Sequence, residues 1–136
     1  MLDRLGMSSC KGVSTPIASF TVLSSVCPLD PSFSDPTKYR QVVGALQYVT
    51  LTRPDLAFVV NRVCQFMHDP HDSHWDVVKR ILWYLQTTKD QGLVIRPFTS
   101  LTVQAFSDAD WAGSTDDRRS TGGYAVYFGT NLVSWQ

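Results

Sequence analysis

Pro36-Thr37-Lys38-Tyr39-Arg40-Gln41-Val42-Val43-Gly44-Ala45-Leu46-Gln47-Tyr48-Val49 is the stretch whose pattern decides the fold. Its residues Tyr39, Val42, Val43, Leu46 and Val49 step by three or four, the spacing of one buried helical face. Two further stripes follow. Arg53-Pro54-Asp55 punctuates the chain, because Pro54 suits the first turn of a new helix and Asp55 favours its positive end. Leu56, Val59, Val60, Val63 and Phe66 or Met67 form the second stripe, which Asp69-Pro70 ends. A third helix begins near Asp72 or Ser73, either a good N-cap. It buries Trp75, Val78, Ile81, Leu82 and Leu85, sets Lys79, Arg80 and Lys89 on its other side or end, and closes at Gly92. Residues 36–93 therefore predict a short three-helix bundle.

Outward from this core the pattern changes on both sides. Residues 1–35 are dense in Ser and Pro and predict an irregular lead-in, with at most one helical turn at Leu2 to Met7. After Gly92 the period falls to two. Leu101, Val103 and Ala105 alternate with Thr102, Gln104 and Phe106, then Tyr124, Val126 and Phe128 with Ala125 and Tyr127. Gly129-Thr130-Asn131 turns the chain into Leu132-Val133-Ser134-Trp135. Residues 94–136 thus predict three antiparallel strands with one face uncovered, an incomplete domain, and the whole chain is α+β.

Composition narrows the function classes. The 136 residues carry 12 Lys and Arg against 12 acidic residues, so no basic excess advertises nucleic-acid binding. All 12 acidic residues are Asp, which excludes any mechanism needing a glutamate from this chain acting alone. No apolar run reaches the roughly 20 residues of a membrane span, and no secretory signal is readable, so an intracellular protein is expected without a definite compartment. Cys10, Cys27 and Cys64 are far apart and odd in number, which argues against a disulfide framework or disulfide-linked partner. His68, His71 and His74 cluster with Asp69, Asp72 and Asp76, but Pro70 breaks the helical register that would align the rings on a metal, and a polar loop leading into a helix is the favoured reading.

A series of motifs runs through Leu5-Gly6-Met7, Val13-Ser14-Thr15-Pro16, Val43-Gly44-Ala45-Leu46-Gln47-Tyr48, Thr52-Arg53-Pro54-Asp55-Leu56, Val60-Asn61-Arg62 and Gln65-Phe66-Met67. It continues through His74-Trp75, Val78-Lys79-Arg80-Ile81-Leu82, Tyr84-Leu85, Phe106-Ser107-Asp108-Ala109-Asp110-Trp111-Ala112-Gly113, Arg118-Arg119-Ser120-Thr121-Gly122-Gly123-Tyr124 and Ser134-Trp135. The resemblance these motifs carry is to the Pol polyprotein of copia-type (Ty1/copia) retrotransposons. It implies that residues 1–35 match the end of a reverse transcriptase palm, 36–93 its thumb and connection, and 94–136 the truncated start of an RNase H-like domain. Trp83 stands where the family more often has a basic residue.

The resemblance also implies chemistry. RNase H cleavage is two-metal hydrolysis, in which several carboxylates hold two Mg²⁺ ions about 4 Å apart. The family's first carboxylate carries over to Asp108; Asp110, two residues on, is not taken as a ligand. No Glu and no acid after Asp117 is present to complete the set, so Asp108 alone is expected to be vestigial and to cap a loop at the strand end. Polymerisation needs paired aspartates, and Asp116-Asp117 beside Arg118-Arg119 reads instead as a solvated loop. The isolated chain is therefore expected to be inactive and to need no cofactor, Mg²⁺ belonging to the parent family. The family's partner is an RNA/DNA template–primer, whose phosphates Arg40, Arg53, Arg62, Lys79 and Arg80 would meet, with Trp75 or Trp83 available for stacking. Trp75 lies on the apolar stripe and reads as core. Two alternatives stand beside this reading: a domesticated, non-enzymatic module binding nucleic acid or protein, and an incomplete gene model of an active enzyme.

Overall fold

The computed structural model describes residues 12–18, 23, 29–110 and 120–136. The chain forms two compact units divided between Gln91 and Gly92. The helical turn expected at Leu2 to Met7, Cys10, Cys27 and the Asp116 to Arg119 loop lie outside the described residues.

The first unit holds three helices: α1 (Pro36–Val49), α2 (Ala57–Cys64) and α3 (Asp72–Thr87), with a 3₁₀ turn at Pro54–Leu56 leading into α2. Asp35 caps α1 by accepting the Lys38 amide at 2.9 Å, and Pro36 fills the first turn, where a missing N–H costs nothing. The three stripes meet in one core. Tyr39, Val43 and Leu46 of α1, Val59, Val60 and Val63 of α2, and Val78, Ile81 and Leu82 of α3 are buried, and Leu56 joins them from the 3₁₀ turn. Val49 and Leu85 sit at the edge of this core, only half-buried. Of the lead-in, Leu23 is buried and Ile17 and Phe33 pack on the same core, so these residues belong to the helical unit.

Helix ends differ from the sequence expectation, each for a local reason. α2 stops at Cys64, several residues before Pro70, where the amides of Phe66 and Met67 bond carbonyls three residues back instead of four. The N-cap of α3 is His71, not Asp72 or Ser73, and its amide donates to His74 Nδ1 at 3.0 Å. α3 ends at Thr87 rather than at Gly92, because the Thr88 amide and hydroxyl both return to the Tyr84 carbonyl, at 3.0 and 2.8 Å. Thr88 is also held from outside the helix by Arg53, which leaves Gly92 no capping work.

The second unit is a three-stranded antiparallel sheet in the order β1 (Val103–Asp110), β2 (Thr121–Phe128), β3 (Asn131–Trp135). β1 starts two residues later than its alternation predicts and runs on through Asp110. The β2–β3 turn is the two residues Gly129-Thr130; Gly129 has φ +58° and a Cβ there would fall 2.1 Å from the Phe98 ring. A bulge near Val126 shifts the β2–β3 register. Asn131, buried, accepts the Arg96 amide at 2.9 Å and donates to the Arg96 carbonyl at 2.8 Å, tying residue 96 to the hairpin. The register sets Val103, Ala105 and Ser107 beside Phe128, Val126 and Tyr124 on one face, and Gln104, Phe106 and Asp108 beside Tyr127, Ala125 and Gly123 on the other. Val103 and Tyr124 are exposed on the first face and Phe106 on the second, so both faces are open where one was expected to be.

Candidate functional site

Asp108 lies within β1, opposite Gly123. Its Oδ1 accepts the Ala109 amide at 2.9 Å inside the strand. Its cross-strand partner has no side chain, and the carboxylate is exposed. Among the described residues there is no group of three or more His, Cys or Asp side chains able to hold a metal ion. Among the described side chains Asp108 is a single carboxylate, and one carboxylate cannot neutralise and orient two divalent ions.

The five basic candidates separate into different environments. Arg53 is 5% exposed and belongs to the interior. Its Nε and Nη2 donate to the two Asp55 oxygens at 2.9 and 2.7 Å, while Nη1 and Nη2 donate to the carbonyl and hydroxyl of Thr88 at 3.0 and 2.9 Å. Tyr84 completes the network, donating its hydroxyl to Asp55 Oδ2 at 3.0 Å with its ring 5.4 Å from the guanidinium. The Arg53 hydrogen bonds hold the Asp55 carboxyl below the usual carboxylate range, and burial followed by Asp55 pushes the Tyr84 phenol up. With its donors committed in this way, Arg53 ties the start of α2 to the end of α3.

Arg80 reaches back to Thr15, donating to its carbonyl at 3.2 Å and its hydroxyl at 2.9 Å, and Lys79 pairs with Asp76 one turn earlier. Arg40 is exposed and spends one nitrogen on the Met67 carbonyl at 3.2 Å. Arg62, half-buried at the end of α2, has no hydrogen-bond or ion-pair partner among the described residues. Trp75 is core, stacked on Phe33 at 4.8 Å. The Trp83 indole nitrogen is buried, which leaves only part of that ring for stacking.

A strip on α1 emerges that charge counting missed. Arg40, Gly44 and Tyr48 recur every fourth residue, opposite the buried stripe. A Cβ on Gly44 would meet nothing within 4 Å, and Tyr48 is 77% exposed. An exposed aromatic, a cation and a helix backbone bare of side chains between them form a low, open surface. The four-residue spacing of these residues was visible in the sequence; what hid it was the search for cations alone.

The histidine cluster does other work. The His71 amide donates to His74 Nδ1 at 3.0 Å, and His74 is fully buried, stacked on Phe66 at 3.8 Å. Cys64 is half-buried, with its Sγ accepting from Gln47 at 3.2 Å, and burial pushes its thiol up, away from reactivity. The Tyr39 hydroxyl donates to the Val63 carbonyl at 2.8 Å, and burial pushes it far above the ordinary phenol value.

Over 135 residues, 99% of its length, the chain is 47% identical to the Retrovirus-related Pol polyprotein from transposon RE2 of Arabidopsis thaliana, covering 9% of that protein. Over 135 residues it is 45% identical to the corresponding polyprotein from transposon RE1 of the same plant, again 9% of its length. It is also 47% identical over 135 residues to the Uncharacterized mitochondrial protein AtMg00810 of Arabidopsis thaliana, 55% of which it covers. The chain thus spans about a tenth of the polyproteins and about half of the mitochondrial protein. No family model and no solved structure matches it.

Proposed function

The chain belongs to the Pol polyproteins of copia-type retrotransposons, and from that premise we propose that its helices are the thumb and connection of a reverse transcriptase and its strands the opening of an RNase H-like sheet. In this reading the helical unit holds a template–primer duplex and performs no chemistry. The observation that carries it is the open strip of α1. Gly44 lets the helix backbone approach a duplex closely, Tyr48 offers a ring to sugars or bases, and the free donors of Arg40 reach phosphate. Arg62 is a further cation available for such contact. With zero formal net charge, the grip depends on this local arrangement instead of a general basic field.

In this reading Asp108 corresponds to the first of the carboxylates that would bind Mg²⁺ in the parent enzymes, and no hydrolytic step is assigned to these 136 residues by themselves. The test is fluorescence anisotropy with an RNA–DNA primer–template at low and high salt. A salt-sensitive affinity that falls roughly tenfold in Tyr48→Ala supports the reading. Affinity indifferent to Tyr48→Ala and Gly44→Leu ends it. Incubation of the same hybrid with Mg²⁺ is expected to leave it intact; cleavage lost in Asp108→Asn would show a nuclease in this chain.

A further inference from the structure

We propose that His71 is a protonation-dependent clasp that fastens residues 30–33 to the start of α3 through its charge pair with Asp30 and, when neutral, holds them less firmly. The strap runs beside the helix start through a small set of bonds. The Phe33 amide donates to the Pro70 carbonyl at 2.8 Å, the Asp72 amide to the Pro31 carbonyl at 3.0 Å, and Ser32 and His71 form an isolated antiparallel bridge. Asp30 Oδ1 accepts the Ser73 amide at 3.2 Å. His71 reaches the strap through Nδ1, 2.9 Å from the Asp30 carbonyl and 3.9 Å from Asp30 Oδ2, while Nε2 lies 3.5 Å from Asp69 Oδ2 on its own side.

The groups facing the ring favour its charged form. Asp30 on the strap brings Oδ2 within 3.9 Å of Nδ1, and Asp69 faces Nε2 from the loop before the helix. The third titratable neighbour, His74, lies edge-on at 5.5 Å, and its Nδ1 is occupied as the acceptor of the His71 amide. The positive end of α3 opposes a second positive charge there, and Asp72 in its first turn offsets that field. As imidazolium, His71 donates to the Asp30 carbonyl and to Asp69 at once. As neutral imidazole keeping its Nδ1 proton, it retains the bond to the Asp30 carbonyl but loses the charge attraction to the Asp30 carboxylate across the strap, and it turns a bare lone pair toward Asp69, so the fastening weakens. Consistent with this, the His71 imidazole is held above its ordinary value, first by its hydrogen bond to the Asp30 backbone and then by Asp69.

A raised folded-state value fixes the sign. The clasp is complete below the ordinary histidine pKa of about 6.5 and is lost as pH rises through the folded value.

Native-state hydrogen exchange on the full chain tests this, following the Phe33 and Asp72 amides from pH 5.5 to 8.5 with intrinsic rates divided out. Their protection is expected to fall severalfold across the rise while that of the α1 core amide of Val43 holds, and His71→Asn is expected to flatten the dependence. Protection constant with pH in the wild type, or the same dependence persisting in His71→Asn, overturns the proposal. Should that variant not fold, NMR titration of the wild-type His71 ring decides. A midpoint above the ordinary value that coincides with the loss of protection supports the clasp, and a midpoint at or below it, or one that does not coincide, overturns it.

Discussion

The Arg53 guanidinium holds both oxygens of the Asp55 carboxylate, at 2.9 and 2.7 Å, across the proline that opens the turn into α2. The same guanidinium bonds Thr88, so one side chain joins the start of α2 to the end of α3. A planar fork is needed for this, because two donors must meet a carboxylate while a third nitrogen reaches a carbonyl. Arg53→Ala is expected to destabilise the helical unit by about 2–4 kcal/mol, chiefly by stranding the Thr88 carbonyl and Asp55. Arg53→Lys is expected to recover less than half of that. Urea unfolding followed by circular dichroism at the helical band measures both.

Asp55 makes the same network sensitive to acid. Its carboxyl is held below the ordinary range, first by the hydrogen bonds from Arg53 and, in smaller part, by the Tyr84 hydroxyl. A depressed folded value means that the stabilisation is complete above the unfolded value of about 3.9 and disappears as pH falls through the folded one. Asp55→Asn is expected to be less stable than the wild type at pH 6, with the difference narrowing toward pH 2.5. The side chain is 41% exposed, so solvent screening keeps the effect modest. Urea midpoints at successive pH values check it.

The three apolar stripes were legible because burial of a helix face imposes its period on the sequence, and Tyr39, Val60 and Ile81 fall where that period puts them. The caps were not. His71 as N-cap and Thr88 as stop depend on partners far along the chain, Asp30 at one end and Arg53 at the other, which no local window contains. The same distance hid the role of Arg53. Its charge reads as a phosphate contact until Thr88, 35 residues on, closes over it. Asp108 was expected at the strand end, and its place inside β1 follows from pairing that continues through Gly123 and Gly122, which no local window shows.

Gly129 controls the hairpin for two separable reasons. Its φ of +58° disfavours any side chain, and a Cβ would collide with the Phe98 ring. Gly129→Ala is expected to cost the sheet unit about 2–3 kcal/mol. Gly129→Asn relieves the backbone penalty but keeps the collision, so it is expected to lie between wild type and Gly129→Ala, and pairing it with Phe98→Ala is expected to remove the collision. Amide exchange in β2 and β3 reads each variant without interference from the helices.

Gly44 offers the sharpest separation of stability from binding. A glycine in mid-helix costs roughly 0.5–1 kcal/mol relative to alanine, and nothing in the fold requires it, since a Cβ there meets no atom within 4 Å. If stability alone set this position, alanine would be the better residue. Gly44→Ala and Gly44→Leu are therefore expected to raise the urea midpoint of the helical unit while weakening its affinity for a primer–template, leucine more than alanine because its side chain stands farther off the helix. Tyr48→Ala is expected to weaken binding with little change in stability, because that side chain is 77% exposed. The opposite signs matter: a variant that merely unfolded the surface would lose both properties, whereas a more stable protein with a poorer grip can arise only if the open strip is itself the contact. Parallel unfolding and anisotropy measurements on the same preparations distinguish the two, and unchanged affinity in a stabilised Gly44→Leu protein would leave the glycine without a functional explanation.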